Sequence, residues 1–221
     1  MSEVRPIRVL VADDDPLLCT GLTHLLTDGG RGSIEVVGVA HDGHEAISAV
    51  IAHRPDVVLM DVAMPVMDGL TATARIREMK DPPEVIVITT FDANDEPIRA
   101  AAAGASGFLL KSEGPLEIIG AIRAVAAGEG ALSRRTARQL LDHVGTAHHS
   151  MERQRARALL SGLTEREGAV ARLVAHGYSN PEIASELHLS ESTVKTHLTA
   201  AQEKLGAKNR VMVAVEYTRA Q

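Results

Sequence analysis

Val57-Val58-Leu59-Met60-Asp61 decides how this chain is read. Four apolar residues run straight into one carboxylate. A short unbroken apolar run is the pattern of a strand buried on both faces, as in a parallel sheet. Asp61 then stands at the carboxyl end of that strand, the edge of an open α/β sheet where ligands bind. Upstream, Ile7 to Ala12 is a second apolar run, and it ends in Asp13, Asp14 and Asp15. If the two strands are neighbours, their carboxylates meet. Crowded carboxylates raise one another's pKa, and a hard cation such as Mg²⁺, which takes oxygen ligands, relieves the repulsion.

Working outward, the first half alternates two kinds of pattern. Residues 7–12, 34–39, 56–60, 85–89 and 107–110 read as strands, and 16–27, 43–53, 68–79, 94–103 and 114–127 as helices. Five βα units predict a doubly wound, five-stranded parallel sheet with helices on both faces. Pro16 suits the first turn of a helix. Asp68 before Gly69 is a plausible N-cap.

Past residue 127 the pattern changes. Gly128-Glu129-Gly130 breaks the last helix of the first half, and residues 133–144 fit one more amphipathic helix through Ala137, Leu140, Leu141 and Val144. Residues 145–150, with His148 and His149, read as a solvated linker. The remainder is all α. Thr164 with Glu167, and Ser179 with Glu182, are two capping boxes. Ser190 caps a helix over 190–205, and 209–219 gives a last one. A short helix, a tight turn through Leu189 and a longer helix form a helix-turn-helix. The boundaries that follow are a first domain over 1–127, a helical linker over 128–158 and an all-α domain over 159–221.

Composition narrows the function classes. Hydrophobic residues make up 45% and charged residues 24%, which suits a globular chain. The single cysteine, Cys19, excludes an internal disulfide and reads as a small core residue. No apolar run approaches the roughly 18 residues that span a bilayer, and the N-terminus lacks a signal-peptide pattern, so a cytoplasmic protein is expected. The net charge of −6 is uneven: residues 1–127 carry −9, 128–146 carry +1 and 147–221 carry +2. Different partners for the two halves follow.

These motifs, taken together, resemble a known family. Val11-Ala12-Asp13-Asp14-Asp15-Pro16, Asp61-Val62-Ala63-Met64-Pro65-Val66-Met67-Asp68-Gly69, Thr89-Thr90-Phe91-Asp92 and Gly107-Phe108-Leu109-Leu110-Lys111 resemble a flavodoxin-like response-regulator receiver domain. Leu163-Thr164-Glu165-Arg166-Glu167, Ser179-Asn180-Pro181-Glu182-Ile183-Ala184, Leu189-Ser190-Glu191-Ser192-Thr193-Val194-Lys195-Thr196-His197 and Lys204-Leu205 resemble a LuxR-type DNA-binding domain. The order and spacing match the NarL/FixJ response regulators over nearly the whole chain.

The resemblance implies roles. Asp61 is the phosphoryl acceptor for a sensor histidine kinase. Asp13, Asp14 and Asp61, with the backbone carbonyl of Ala63, hold Mg²⁺. Thr89 hydrogen-bonds a phosphoryl oxygen, Lys111 pairs with the phosphoryl group and Phe108 is the aromatic switch. Asp15 takes no ligand role. The helix over 190–205 reads promoter DNA as part of a homodimer, through Lys195, Thr196 and Thr199, with Lys208 and Arg210 on backbone phosphates; RNA polymerase is a further implied partner. Release of the DNA-binding domain and dimerisation are both compatible outputs. Val211 and Val215 fit a dimer face and intradomain packing equally well. Two rivals stand beside this reading. One is a regulator of the same fold controlled by a small molecule or partner protein. The other is a Mg²⁺ phosphohydrolase with Asp61 as nucleophile, which would need a second carboxylate where Ala63 stands.

Overall fold

A computed structural model describes residues 5–90, 96–132, 137 and 150–221, with side chains in the last stretch from 153 onward. The strands are β1 (Ile7–Ala12), β2 (Ile34–Ala40), β3 (Val57–Asp61), β4 (Glu84–Thr89), β5 (Gly107–Leu110) and β6 (Ala131–Leu132). They lie in one sheet, in the order β2-β1-β3-β4-β5-β6, and every pairing is parallel. Between them run α1 (Pro16–Gly30), α2 (Gly43–His53), α3 (Gly69–Arg77), α4 (Glu96–Ala102) and α5 (Pro115–Ala126). The sheet has six strands where five were expected. Ala131 and Leu132 add a two-residue strand beside β5, too short to leave a pattern in sequence.

β3 explains itself. All five of its residues are buried, because apolar side chains fill both sides of the sheet. Val57 and Leu59 belong to the core under α1 and α5. Val58 and Met60 belong to the core under α2 and α3. β1 splits in the same way, with Val9 and Val11 on one side and Leu10 and Ala12 on the other. The chain order reverses between β1 and β3, so a crevice opens at their carboxyl ends.

Local signals set the helix starts. Asp15 caps α1, accepting from the Leu17 amide at 2.9 Å, and Asp42 caps α2. Asp68 caps α3 through the Thr71 amide at 2.8 Å. Gly69 is compulsory: a Cβ there would lie 1.7 Å from the Asp61 carbonyl oxygen.

The C-terminal part holds α6 (Ser150–Ser161), α7 (Glu165–Ala175), α8 (Asn180–Leu187), α9 (Glu191–Leu205) and α10 (Arg210–Arg219). Thr164 and Glu167 form the expected capping box, with the Thr164 amide 2.8 Å from the Glu167 carboxylate. Val170, Val174, Ile183, Val194, Leu198 and Leu205 build one core with Val211 and Val215 of α10. That core also takes in Ala101, Leu132 and Ala137, so the helical domain packs against the first. The helix expected over 133–144 and the linker with His148 and His149 fall, but for Ala137 and Ser150, outside the described residues.

Candidate phosphorylation site and DNA-reading helix

The strand ends bring the sequence-identified acids together. Oxygen atoms of Asp13, Asp14 and Asp61 all lie within 4.8 Å of one another. Asp13 and Asp61 are buried, while Asp14 is exposed. The Lys111 ammonium, just past β5, sits 2.7 Å from Asp13 and 3.1 Å from Asp61. Burial pushes the Asp61 carboxyl above the usual range, and the Lys111 hydrogen bond only partly offsets this. Burial alone would lower the Lys111 pKa, but its bonds to Asp13 and Asp61 hold it above the usual lysine value. Three clustered carboxylates with one exposed member suit a hard divalent cation. Asp15 faces away from this task, since its carboxylate caps α1.

Thr89 ends β4 one residue beyond Ile88, which pairs with Asp61 across the strands. Its carbonyl accepts from the Lys111 amide at 2.7 Å. Its hydroxyl donates to the Glu96 carboxylate at 2.8 Å. Phe108 is fully buried with Val62, Leu70, Val87, Ala100, Ala105 and Leu110. Phe108 thus sits in the small core between β4, β5, α3 and α4. Ala63 is exposed beside Asp61, and its side chain offers no second carboxylate for a hydrolase.

The proposed DNA contacts divide. Lys195, Thr196, Thr199 and Lys208 are exposed. The Lys195 ammonium, however, is 2.9 Å from Glu129, which follows α5. Lys195, Thr199 and Lys208 line a cleft shared with Glu129 and Gly130. Arg210 departs from expectation: it is 3% exposed, and its guanidinium donates to Asn180 at 2.8 Å and to the Tyr178 carbonyl. Burial lowers its pKa to about 10, with Glu129 and Glu182 opposing the drop. It braces the turn before α8 and offers no bond to a DNA phosphate here. Val211 and Val215 are likewise interior, so they form no dimer face.

Sequence reasoning missed three residues. Glu129 reads only as part of a helix break, and Glu96 lies within the helix expected over 94–103 with nothing to single it out. Asn209 caps α10 through the Met212 amide at 2.9 Å. It also donates to the Ala101 and Ala105 carbonyls at 3.0 and 2.9 Å. Asn before a helix signals the cap; nothing signals the second pair of bonds.

A switch-point carboxylate cluster bridged by a lysine, joined to a helix-turn-helix, defines a receiver coupled to a DNA-binding domain. Residues 9–123 match the response regulator receiver domain, and residues 161–217 match the bacterial regulatory proteins of the luxR family. The transcriptional regulatory protein LiaR of Bacillus subtilis is 39% identical over 210 residues, covering 95% of each chain. The probable transcriptional regulatory protein NarL of Mycobacterium tuberculosis is 38% identical over 221 residues, covering 99% of this chain and 98% of that one. A crystal structure of the response regulator ChrA, of a heme-sensing two-component system, matches at a TM-score of 0.55 with 31% identity over 96% of both chains. The chain belongs to the NarL/FixJ response regulators, two-component transcriptional regulators that join a receiver to a LuxR-type DNA-binding domain.

Proposed function

We propose that Asp61 accepts a phosphoryl group from a sensor histidine kinase and that the acyl phosphate frees α9 to read promoter DNA. The observation that carries this reading is the Lys111 ammonium shared between Asp13 and Asp61, a cation already aimed at the place where phosphoryl charge would arrive. A carboxylate oxygen of Asp61 attacks phosphorus, the bond from phosphorus to the donor's leaving atom breaks, and a mixed anhydride remains on Asp61. Lys111 moves its charge onto the phosphoryl oxygens. Thr89 turns its hydroxyl to one of them. Asp13, Asp14, Asp61 and the Ala63 carbonyl are the residues that would hold Mg²⁺, which when bound neutralises charge on the transferring group. Beyond this transfer and slow loss of the phosphoryl group, the chain is not an enzyme.

The output follows from the contacts of α9 and α10. With Lys195 paired to Glu129 and Asn209 bonded to the α4 end, the reading face is turned onto the receiver. Opening would part Lys195, Thr199 and Lys208 from the cleft they share with Glu129 and Gly130, leaving room for a duplex whose major groove and backbone they and Thr196 then meet. A modest charge of +2 over residues 147–221 gives weak binding per monomer, so a homodimer on DNA is part of the reading. Contact with RNA polymerase and a cytoplasmic location, where promoters are, complete it.

Incubation with acetyl phosphate and MgCl₂, read by intact mass, tests the first step. One phosphoryl group on wild type and none on Asp61→Asn is expected; an unlabelled wild type overturns it.

A further inference from the structure

Phe108 is buried, and a signal leaving Asp61 also needs a group that reaches α4, the helix against which the DNA-binding domain packs. Thr89 supplies it. Its hydroxyl has one proton to give, and that proton goes to Glu96, the first residue of α4. At the other end of the same seven-residue helix, Ala101 is packed into the core of the DNA-binding domain beside Ile98. The Ala101 and Ala105 carbonyls accept both bonds from Asn209. A helix of that length spans about 10 Å. Its first turn is tied to the phosphorylation site and its last turn carries the DNA-binding domain.

We propose that Glu96 is a positioning residue that competes with the phosphoryl group for the Thr89 hydroxyl, and so sets whether α4 holds the DNA-binding domain. Without phosphate, the Thr89–Glu96 bond fixes the first turn of α4, and Asn209 finds its two carbonyls in place. With an acyl phosphate on Asp61, the proton turns to the phosphoryl oxygen. Glu96 loses its donor, α4 shifts, and the Asn209 acceptors move with it. A single hydroxyl serving two acceptors makes the states exclusive, which a bistable relay requires. The link to phosphate rests on the reading of Asp61 given above; the link from Glu96 to the docked domain does not.

Amide hydrogen exchange on the full-length, unphosphorylated protein tests it. The probes are the amides of Gly104, Ala105 and Ser106, bonded to Ala101, Ala100 and Val85. Glu96→Ala should speed their exchange about tenfold, as expected for loss of one charge-assisted hydrogen bond. Thr89→Ala should do the same, and the double variant should add nothing further, because both remove one bond. Glu96→Gln keeps an acceptor oxygen and should stay within about twofold of wild type. Exchange unchanged in Glu96→Ala overturns the proposal. So do additive single effects, or Glu96→Gln matching Glu96→Ala, which would leave lost charge as the cause. Labelling by acetyl phosphate, run in parallel, reports on Asp61 alone; an unlabelled wild type refutes the acceptor assignment while the exchange rates still decide the role of Glu96.

Discussion

At the scale of single residues, the site is a balance between two buried carboxylates and one ammonium. Taking away one partner of a buried ion pair strands the other, at a cost of about 3–5 kcal/mol before proton uptake relieves it. Lys111→Ala should therefore lower the melting temperature measured in EDTA. Added MgCl₂ should recover part of the loss, because the cation then meets two carboxylates with no competitor. A melting temperature that ignores magnesium would show that the cluster does not bind it. Val66 makes a separate case. It is 84% exposed and holds φ at +63° in the loop after Asp61, and a β-branched residue in that region costs about 1–2 kcal/mol. Val66→Asn should raise the unfolding free energy by about 1 kcal/mol, read from the denaturant midpoint, since Asn tolerates the left-handed region.

At the scale of elements, α3 shows how a local signal sets a functional distance. Asp68 caps it, and Gly69 lets its first turn lie against the Asp61 carbonyl. Burial nudges the Asp68 pKa up, but the Thr71 amide and hydroxyl more than offset that, so the carboxyl titrates below its usual range. A depressed carboxyl contributes stability that is present above its unfolded value and lost as pH falls through the folded one. Asp68→Ala should cost about 1 kcal/mol at pH 7, and the gap from wild type should narrow in chemical unfolding at about pH 3. Elements of this kind are legible in sequence. β3 is an apolar run because both its faces are covered, and Asp61 shows because a lone carboxylate ends the run. The Thr164 box, the Asp68 cap and the helix-turn-helix all obey local rules. Arg210 was misread for a physical reason: next to Lys208 it looks like a phosphate contact, and only folding reveals the Tyr178 and Asn180 acceptors around it. Glu96, Glu129 and Asn209 carry no local signal for their contacts, because Glu129 and Asn209 meet partners across two domains, 66 to 108 positions away.

At the scale of the whole molecule, the core of the DNA-binding domain takes in Ala101 and Leu132, and among the described residues the Lys195–Glu129 pair and the Asn209 bonds tie the two domains at its edge. The two ties differ in size. The Lys195–Glu129 pair is partly exposed, so it is worth about 0.2–1 kcal/mol. Glu129→Gln should raise affinity for a random-sequence duplex by no more than about fivefold, measured by fluorescence anisotropy at low salt. The two Asn209 bonds are partly buried and donate to carbonyls, at about 1 kcal/mol each. Asn209→Asp keeps an oxygen for the α10 cap but replaces the donor with an anion facing two carbonyls. Its effect on the same affinity should exceed that of Glu129→Gln.

Amide exchange of α9 and of residues 103–106, compared with and without acetyl phosphate and MgCl₂, is the most direct measurement. Protection there should fall in phosphorylated wild type and stay unchanged in Asp61→Asn. Phosphorylated wild type that keeps full protection in both segments would contradict the proposal that a phosphoryl group on Asp61 releases the DNA reader.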